Sequence, residues 1–244
     1  MKKYLLMMVG VLACAVALAQ TSTQNSVLRQ NQNTDKRGYN RLSVSYNSFG
    51  FDDDVFSDDL KNMDGVSLFW VKGLPISSSA PFYVETGIGL TYAWASEKAT
   101  GSMLYENESY GLRAKCENKF MSMTVPLNIV CRLNIPNTGV AISPFVGVYL
   151  RGNLYGNSKI KVAASNDTYS EKAEQDIGWF DGIDEDEPGF DASRISVGWN
   201  IGVGVEGKHV YMGISYGDDF NSFIDIDDAK TTISTFAVTA GYKF

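Results

Sequence analysis

Apolar and polar side chains alternate along the last eleven residues of the chain, Ser234 to Phe244. If this segment is an extended strand, one of its faces carries Phe236, Val238, Ala240, Tyr242 and Phe244. Successive side chains of a strand point to opposite faces, so the pattern predicts a β-strand with one apolar face. Aromatic residues that continue to the terminal carboxylate are typical of a transmembrane β-barrel, whose apolar face meets lipid and whose aromatics lie at the interface.

The same alternation predicts seven further strands, at residues 41–47, 66–72, 82–94, 120–133, 140–151, 195–206 and 210–217. The connections between the eight strands alternate long and short, and the long ones span residues 49–65, 95–119, 152–192 and 218–230. Outer-membrane barrels sort their connections in this way, with short periplasmic turns and long extracellular loops. A secreted β-sandwich, the other fold expected for such a chain, offers no reason for it. We therefore predict an all-β fold over residues 38–244, an eight-stranded antiparallel transmembrane (outer-membrane) β-barrel with both termini in the periplasm.

The first residues carry the marks of export. A basic start, an apolar run and the triplet Ala17-Leu-Ala19 predict a signal peptide at residues 1–19, cleaved before Gln20. The alternative is lipoprotein processing at Cys14, which would leave an apolar stretch behind the lipidated cysteine. Residues 20–37 are polar and aperiodic, so they predict a flexible periplasmic leader.

Charge and cysteine content narrow the function classes. The net charge of −7 argues against nucleic acid as a partner, because nucleic-acid binding needs a basic face. Cys116 and Cys131 remain after cleavage, and an oxidising compartment would permit a disulfide. The predicted topology separates them by a strand length, with Cys116 in an outer loop and Cys131 near the periplasmic end and facing lipid. We therefore expect two free thiols.

Four segments carry a resemblance to a known family: Met123-Thr-Val-Pro-Leu-Asn-Ile-Val130, Ser143-Pro-Phe-Val-Gly147, residues 197–206 and residues 210–217. They resemble strands of the outer-membrane β-barrel domain family that includes the PorT-like small barrels of Gram-negative bacteria, in the same order along the chain. The resemblance implies the barrel fold, an assembly signal at Tyr242 and Phe244 that the barrel-insertion machinery recognises, and a role as an accessory of an envelope secretion machine. After strand seven the chain departs from the family pattern at Gly217-Asp-Asp-Phe-Asn221.

Eight strands enclose an interior just wide enough for side chains, so we expect a filled barrel rather than a pore. The bulky inward residues are Phe69, Tyr83, Phe145, Tyr149 and Tyr211. Inward charges at the periplasmic ends of the strands are Glu85, Arg132, Glu206 and Lys243. Buried charges require partners, so we expect Glu85 to pair with Arg132, and Glu206 with Lys243 or Arg132, as a structural network.

The sequence offers little for catalysis. His209, its single histidine, falls in a predicted periplasmic turn, and no spacing among the loop carboxylates singles out an acid–base pair. The acidic runs at residues 52–54, 184–187 and 225–228 lack the EF-hand spacing, so neither a metal site nor a cofactor is predicted.

Aromatic residues in the third long loop favour recognition, with Trp179, Phe180 and Asp181 as candidate contacts for an extracellular or envelope protein. Alternatively, these side chains fold back onto the barrel rim. We predict a non-enzymatic barrel in outer-membrane lipid with a structural or surface-recognition role. A secretion accessory is the alternative, and a lipid-modifying enzyme or a small-solute pore is favoured less.

Overall fold

The structure is a computed structural model, and it describes residues 38–53, 62–77, 80–105, 108–165, 170–180, 192–226 and 229–244. The predicted signal peptide, residues 1–19, and leader, residues 20–37, lie outside the described residues. No helix in the described ranges is long and apolar enough to cross a membrane.

The described chain forms eleven strands: β1 (Tyr39–Asp53), β2 (Met63–Pro75), β3 (Phe82–Tyr105), β4 (Glu108–Cys131), β5 (Leu133–Ile135), β6 (Val140–Ser165), β7 (Ser170–Gly178), β8 (Ile195–Glu206), β9 (Val210–Asp219), β10 (Ile224–Ile226) and β11 (Ala229–Lys243). Eight of them form an antiparallel ring in the order β1-β2-β3-β4-β6-β8-β9-β11, and β1 pairs with β11 to close it. The predicted eight-stranded antiparallel barrel is confirmed.

The closing seam runs along the whole of β1. Its register with β11 extends from Arg41 opposite Lys243 to Asp53 opposite Thr231. Asn40 and Phe244 exchange two backbone hydrogen bonds of 2.9 Å at the end of the seam. A closed ring leaves no unpaired strand edge in the barrel wall, which is the condition for a β-structure to be stable in an apolar solvent.

Short connections cluster at one end of the barrel, here called the terminal end because Gly38 and Phe244 lie there. They span residues 76–81, 132–139 (including β5) and 207–209. The opposite end, here called the loop end, carries the connections that the sequence predicts to be long. The predicted sorting of connections by length is present, but the long ones differ from expectation in their structure.

An apolar belt surrounds the barrel. Large apolar side chains that point outward are between about one third and two thirds exposed, among them Leu68, Ile88, Leu90, Tyr92 and Trp94. On β3 the outward positions from Val84 to Trp94 span ten residues, or about 33 Å of strand at ~3.3 Å per residue. With a tilt of about 40°, this run is roughly 25 Å tall, the height of the apolar band of outer-membrane barrels.

The connections at residues 95–119 and 152–192 were predicted as loops, but most of their described residues form strands. β3, β4 and β6 continue past the barrel wall, and β7 pairs with the extended part of β6. The result is a four-stranded sheet, here called the outer sheet, made of residues 95–105, 108–119, 155–165 and β7. The sequence does not reveal this sheet, because charged residues alternate with small ones and neither face has the apolar run by which a half-buried strand is recognised.

Candidate functional site: three interior layers and an outer sheet

The interior at the terminal end is a charged layer. Arg41 donates two hydrogen bonds to the carboxylate of Glu85, with Nη1–Oε1 3.0 Å and Nη2–Oε2 3.1 Å. The hydroxyl of Tyr39 also donates to Glu85, and the guanidinium of Arg41 lies 3.8 Å from the ring centroid of Tyr211. Glu85 is 2 % exposed and Arg41 7 %. A bidentate pair of this kind fixes geometry as well as neutralising charge.

The second ion group of this layer is centred on Glu206, which is 1 % exposed. Lys243 Nζ lies 2.7 Å and Arg132 Nε 3.2 Å from its Oε2 atom, and the Ser143 hydroxyl donates to Oε1. Glu206 therefore contacts both of its predicted partners, Lys243 and Arg132.

The predicted pairing of Glu85 with Arg132 is wrong. The register of β3 and β4 places Glu85 opposite Asn128, four residues before Arg132. Four residues correspond to about 13 Å along a strand, so Arg132 lies closer to the terminal end than Glu85 does. There it contacts Glu206 instead. Arg41, which was not among the predicted inward charges, takes the place next to Glu85. Arg41 lies on the same face of β1 as Ser43 and Ser45, and this alternation in the sequence indicated that its side chain points inward.

A glycine makes room for the Tyr39 contact. Tyr39, Gly73 and Glu85 lie side by side on β1, β2 and β3. A Cβ atom on Gly73 would stand 2.4 Å from Cζ of Tyr39, so only glycine lets the ring cross β2 to reach Glu85.

The middle of the barrel holds a polar cavity of about 150 Å³. Its wall is rich in hydroxyl and amide side chains, among them Ser43, Ser45, Ser67, Thr91, Ser122, Asn128 and Thr239. Ser122 Oγ and Asn128 Oδ1 are buried without a protein partner. A polar cavity of this size has room for several water molecules that would satisfy such atoms. The filled interior that the sequence predicts is thus correct for the two ends only.

An ion pair borders the cavity toward the loop end. Arg151 donates to Asp219, and the Tyr149 hydroxyl donates to the same carboxylate at 2.6 Å. Both charged residues are buried, at 3 % and 5 % exposure. The three described carboxylates deepest in the barrel, Glu85, Glu206 and Asp219, are therefore each bound to a cation.

Aromatic residues close the loop end. This aromatic layer consists of Phe49, Met63, Ala93, Phe120, Trp179, Ala192, Phe223 and Ile233. Trp179 stacks on Phe120 at 5.8 Å between centroids, and its Nε1 donates to Ser158 Oγ at 2.7 Å. Gly156 leaves space for this indole, since a Cβ there would stand 2.4 Å from Cε3 of Trp179.

The predicted recognition residues therefore have different environments. Trp179 is 7 % exposed and packs into the barrel mouth, so the expectation that it lies at a recognition surface is wrong. The alternative expectation was that this side chain folds back onto the barrel rim. Trp179 does fold back, but it enters the interior of the barrel. Phe180 is half-buried, packs against Phe223, and lies 5.1 Å below the guanidinium of Arg194. Asp181 lies outside the described residues.

The terminal strand ends in an outward aromatic row. Tyr242 and Phe244 are 55 % and 62 % exposed, and their rings stack at 6.4 Å between centroids. His209 stacks on Tyr242 at 5.5 Å, and its Nδ1 lies 3.2 Å from the carbonyl oxygen of Lys243. The histidine thus lies in the turn between β8 and β9, next to the end of the chain.

The two cysteines lie far apart on β4. Cys116 is opposite Glu97 in the outer sheet, and Cys131 is opposite Phe82 at the terminal end. Fifteen residues of strand separate them by about 50 Å, and both thiols are free.

Neither a scan against protein-family models nor a search of curated proteins finds a match for this chain. Among solved structures, the chain is similar to Ail, the attachment invasion locus protein of Yersinia pestis, in complex with the heparin analogue sucrose octasulfate. The identity is 14 %, the match covers 85 % of this chain and 99 % of Ail, and the TM-score is 0.37. Neisserial surface protein A matches at 10 % identity over 85 % of this chain and 97 % of its own, with a TM-score of 0.38. A major outer membrane protein from Thermus thermophilus matches at 10 % identity over 85 % and 100 %, also with a TM-score of 0.38. These similarities are too distant to transfer a ligand or a partner to this chain.

Proposed function

We propose that this protein is an integral outer-membrane β-barrel without enzymatic activity, whose outer sheet presents a surface to the cell exterior. The apolar belt carries this proposal. A closed ring with Leu68, Ile88 and Leu90 about half exposed is unsuited to water, whereas lipid satisfies it. The terminal end, with its short connections, faces the periplasm in this arrangement, and the outer sheet faces outward.

The export signal and the assembly signal belong to the same proposal. Residues 1–19 direct secretion and are removed, residues 20–37 form a periplasmic leader, and Tyr242 and Phe244 present the terminal aromatic row to the insertion machinery. Deleting Phe244 should reduce assembly into the outer membrane while leaving secretion intact. The measurement is the fraction of protein that resists extraction by alkaline carbonate, and undiminished assembly would argue against this role.

The engagement of the buried carboxylates supports a non-enzymatic role. A general base must be free to accept a proton, yet Glu85, Glu206 and Asp219 each neutralise a buried cation. His209 lies at the opposite end of the barrel from the outer sheet. The interior also supports a closed barrel over a solute pore, because side-chain layers fill both of its ends.

Insertion into lipid tests the membrane placement. The refolded chain should enter phosphatidylcholine vesicles, change its mobility in unheated detergent gels, and be protected there from protease along the barrel strands. Planar bilayers containing it should show no ion conductance. A chain that stays soluble and monomeric without detergent would refute the proposal, and stable conductance would refute the closed interior alone.

A secretion accessory is the second candidate. The resemblance of Met123–Val130 and of residues 197–206 and 210–217 to PorT-like strands favours it. Purification after mild detergent extraction distinguishes the two roles, because an accessory should co-purify with a large envelope complex. A barrel recovered alone at its monomer mass favours the independent surface role.

A further inference from the structure

The outer sheet sorts its charges by face. Residues directly opposite one another in antiparallel strands share a face, and Trp94, Lys119 and Asn157 are opposite one another on β3, β4 and β6. Trp94 points outward in the apolar belt and is 41 % exposed. Lys119 therefore points outward as well, and so does every second position beyond it.

Those second positions are rich in cations. One row consists of Lys98, Lys115, Lys161 and Glu174, and the next row contains Arg113 and Lys172. With Lys119 and Lys159, the outward face carries seven cations, here called the cationic face: Lys98, Arg113, Lys115, Lys119, Lys159, Lys161 and Lys172. The row between the two, on the opposite face, is uncharged and consists of Ala99, Ala114, Val162 and Ala173.

Carboxylates on the cationic face neutralise only part of it. Lys115 pairs with Glu117, while Lys159 pairs with Glu174 and lies 3.6 Å from Asp176. Lys161 also pairs with Glu174, at 3.7 Å between Nζ and Oε2. The hydrogen bond from Lys115 lowers the pKa of the Glu117 carboxyl, so this carboxylate stays ionised in its basic surroundings. Four cations form no ion pair with a side chain that the structure describes: Lys98, Arg113, Lys119 and Lys172. A chain with a net charge of −7 thus concentrates unneutralised positive charge on one face.

The location of this face relative to the apolar belt indicates its ligand. Tyr92 and Trp94, with ring centroids 5.9 Å apart, stand at the upper limit of the belt, where aromatic side chains mark the membrane interface. Lys119 lies opposite Trp94, and Arg113 lies six residues further along β4. The cations therefore begin at the interface and extend about 20 Å along the strands. A lipid packed against the belt would place its head group on this face.

We propose that the cationic face binds the phosphate groups of a phosphorylated glycolipid in the outer leaflet, with its acyl chains against the belt. The proposal rests on the membrane placement proposed above. Continuity between belt and cations favours lipid over a soluble polyanion, because one molecule can satisfy both surfaces. Lysine and arginine near a membrane surface attract anionic lipid by about 1 kcal/mol each, or roughly fivefold in affinity per cation.

Titration of the refolded chain in non-ionic detergent with diphosphoryl lipid A, and with the same lipid after removal of its phosphates, tests this. The variant Lys98→Gln/Lys119→Gln removes two unpaired cations from the face. Its matched control, Lys72→Gln/Lys208→Gln, removes two exposed cations at the terminal end. Wild type and control should bind the phosphorylated lipid equally and prefer it to the dephosphorylated form. The Lys98→Gln/Lys119→Gln variant should bind the phosphorylated lipid about thirtyfold more weakly at low salt.

Three results would overturn the assignment. The first is equal affinity of the wild type for the two lipids, and the second is an equal loss of affinity in the Lys98→Gln/Lys119→Gln variant and in its control. The third is soluble polyphosphate binding as tightly as the phosphorylated lipid. Vesicle insertion of the same preparations separates this failure from that of the proposed function. If all variants insert but bind lipid A alike, the cationic face has another role and the membrane placement stands. If the wild type does not insert, both proposals fall.

Discussion

Replacing Glu85 with glutamine should destabilise the barrel by about 3–5 kcal/mol, the cost of leaving a buried charge without its partner. The glutamine oxygen can still accept the Tyr39 hydroxyl, so that bond survives. Its amide nitrogen, however, faces the guanidinium of Arg41, a donor facing a donor. Arg41 is 7 % exposed and cannot turn to water without opening the seam between β1 and β11. The loss of stability therefore comes from the unpaired charge of Arg41 and not from a change in side-chain shape.

A double-mutant cycle measures the cost of leaving the buried Arg41 charge without a partner. Arg41→Met alone removes the cation and leaves Glu85 buried and unpaired, whereas Arg41→Met/Glu85→Gln removes both charges and keeps an apolar side chain over the Tyr211 ring. The double variant should be more stable than Glu85→Gln, because replacing a whole buried pair by uncharged groups costs little. Unfolding by urea in lipid vesicles, followed by tryptophan fluorescence and by gel mobility, gives the free energies.

A matched surface pair serves as the control. Lys159→Gln/Glu174→Gln in the outer sheet removes a pair in contact with water and should leave the unfolding midpoint unchanged. A loss of less than about 1 kcal/mol in the free energy of unfolding of Glu85→Gln would contradict the prediction. So would an Arg41→Met/Glu85→Gln variant that is no more stable than Glu85→Gln.

Three further predictions concern other layers. Gly73→Ala should cost about 1–3 kcal/mol by forcing the Tyr39 ring off β2, whereas Gly101→Ala, with no heavy atom within 4 Å of the added Cβ, should be neutral; urea midpoints compare the two. Trp179→Ala should cost about 3–5 kcal/mol by emptying the aromatic layer, and Phe220→Ala, at a residue 62 % exposed, should cost little in the same assay. The β6–β7 pairing should weaken in acid. Hydrogen bonding from Lys159 lowers the pKa of Glu174, so the contribution of this pair is complete above the ordinary carboxyl pKa and disappears as pH falls through the lowered value. Amide exchange in β7, corrected for intrinsic rates, should therefore rise at low pH in the wild type, and the Lys159→Gln/Glu174→Gln variant should lack this dependence.

The barrel could be predicted because lipid imposes one rule on the whole circumference. Each wall strand must present apolar side chains outward, so period-two alternation appears in all eight wall strands. Neither face of the outer sheet meets the hydrocarbon of a bilayer, so neither face has to be apolar. Rows such as Lys98 to Glu174 and Ala99 to Ala173 alternate charged with small residues, which a sequence shares with ordinary loops.

Contacts across the barrel were harder to predict, because they depend on register and on which loop folds inward. The parity of a strand shows that Glu85 points inward, yet only the pairing with β4 shows that Arg132 lies four residues too low. Trp179 lies on a segment whose return into the mouth depends on the space above Gly156 and on the Ser158 hydroxyl. Both residues are on β6, and the register between β6 and β7 brings them next to Trp179.

The ion pairs of the charged layer specify how the barrel closes. Arg41 of the first strand and Lys243 of the last are direct neighbours across the seam, two like charges that would repel each other if unpaired. Each takes its own carboxylate from a strand elsewhere in the ring, Glu85 on β3 and Glu206 on β8. A slip of one residue at the seam would turn Arg41 or Lys243 toward lipid and leave a carboxylate buried and unpaired, two costs that arise together. The charges therefore select one register out of several that backbone hydrogen bonding alone would accept.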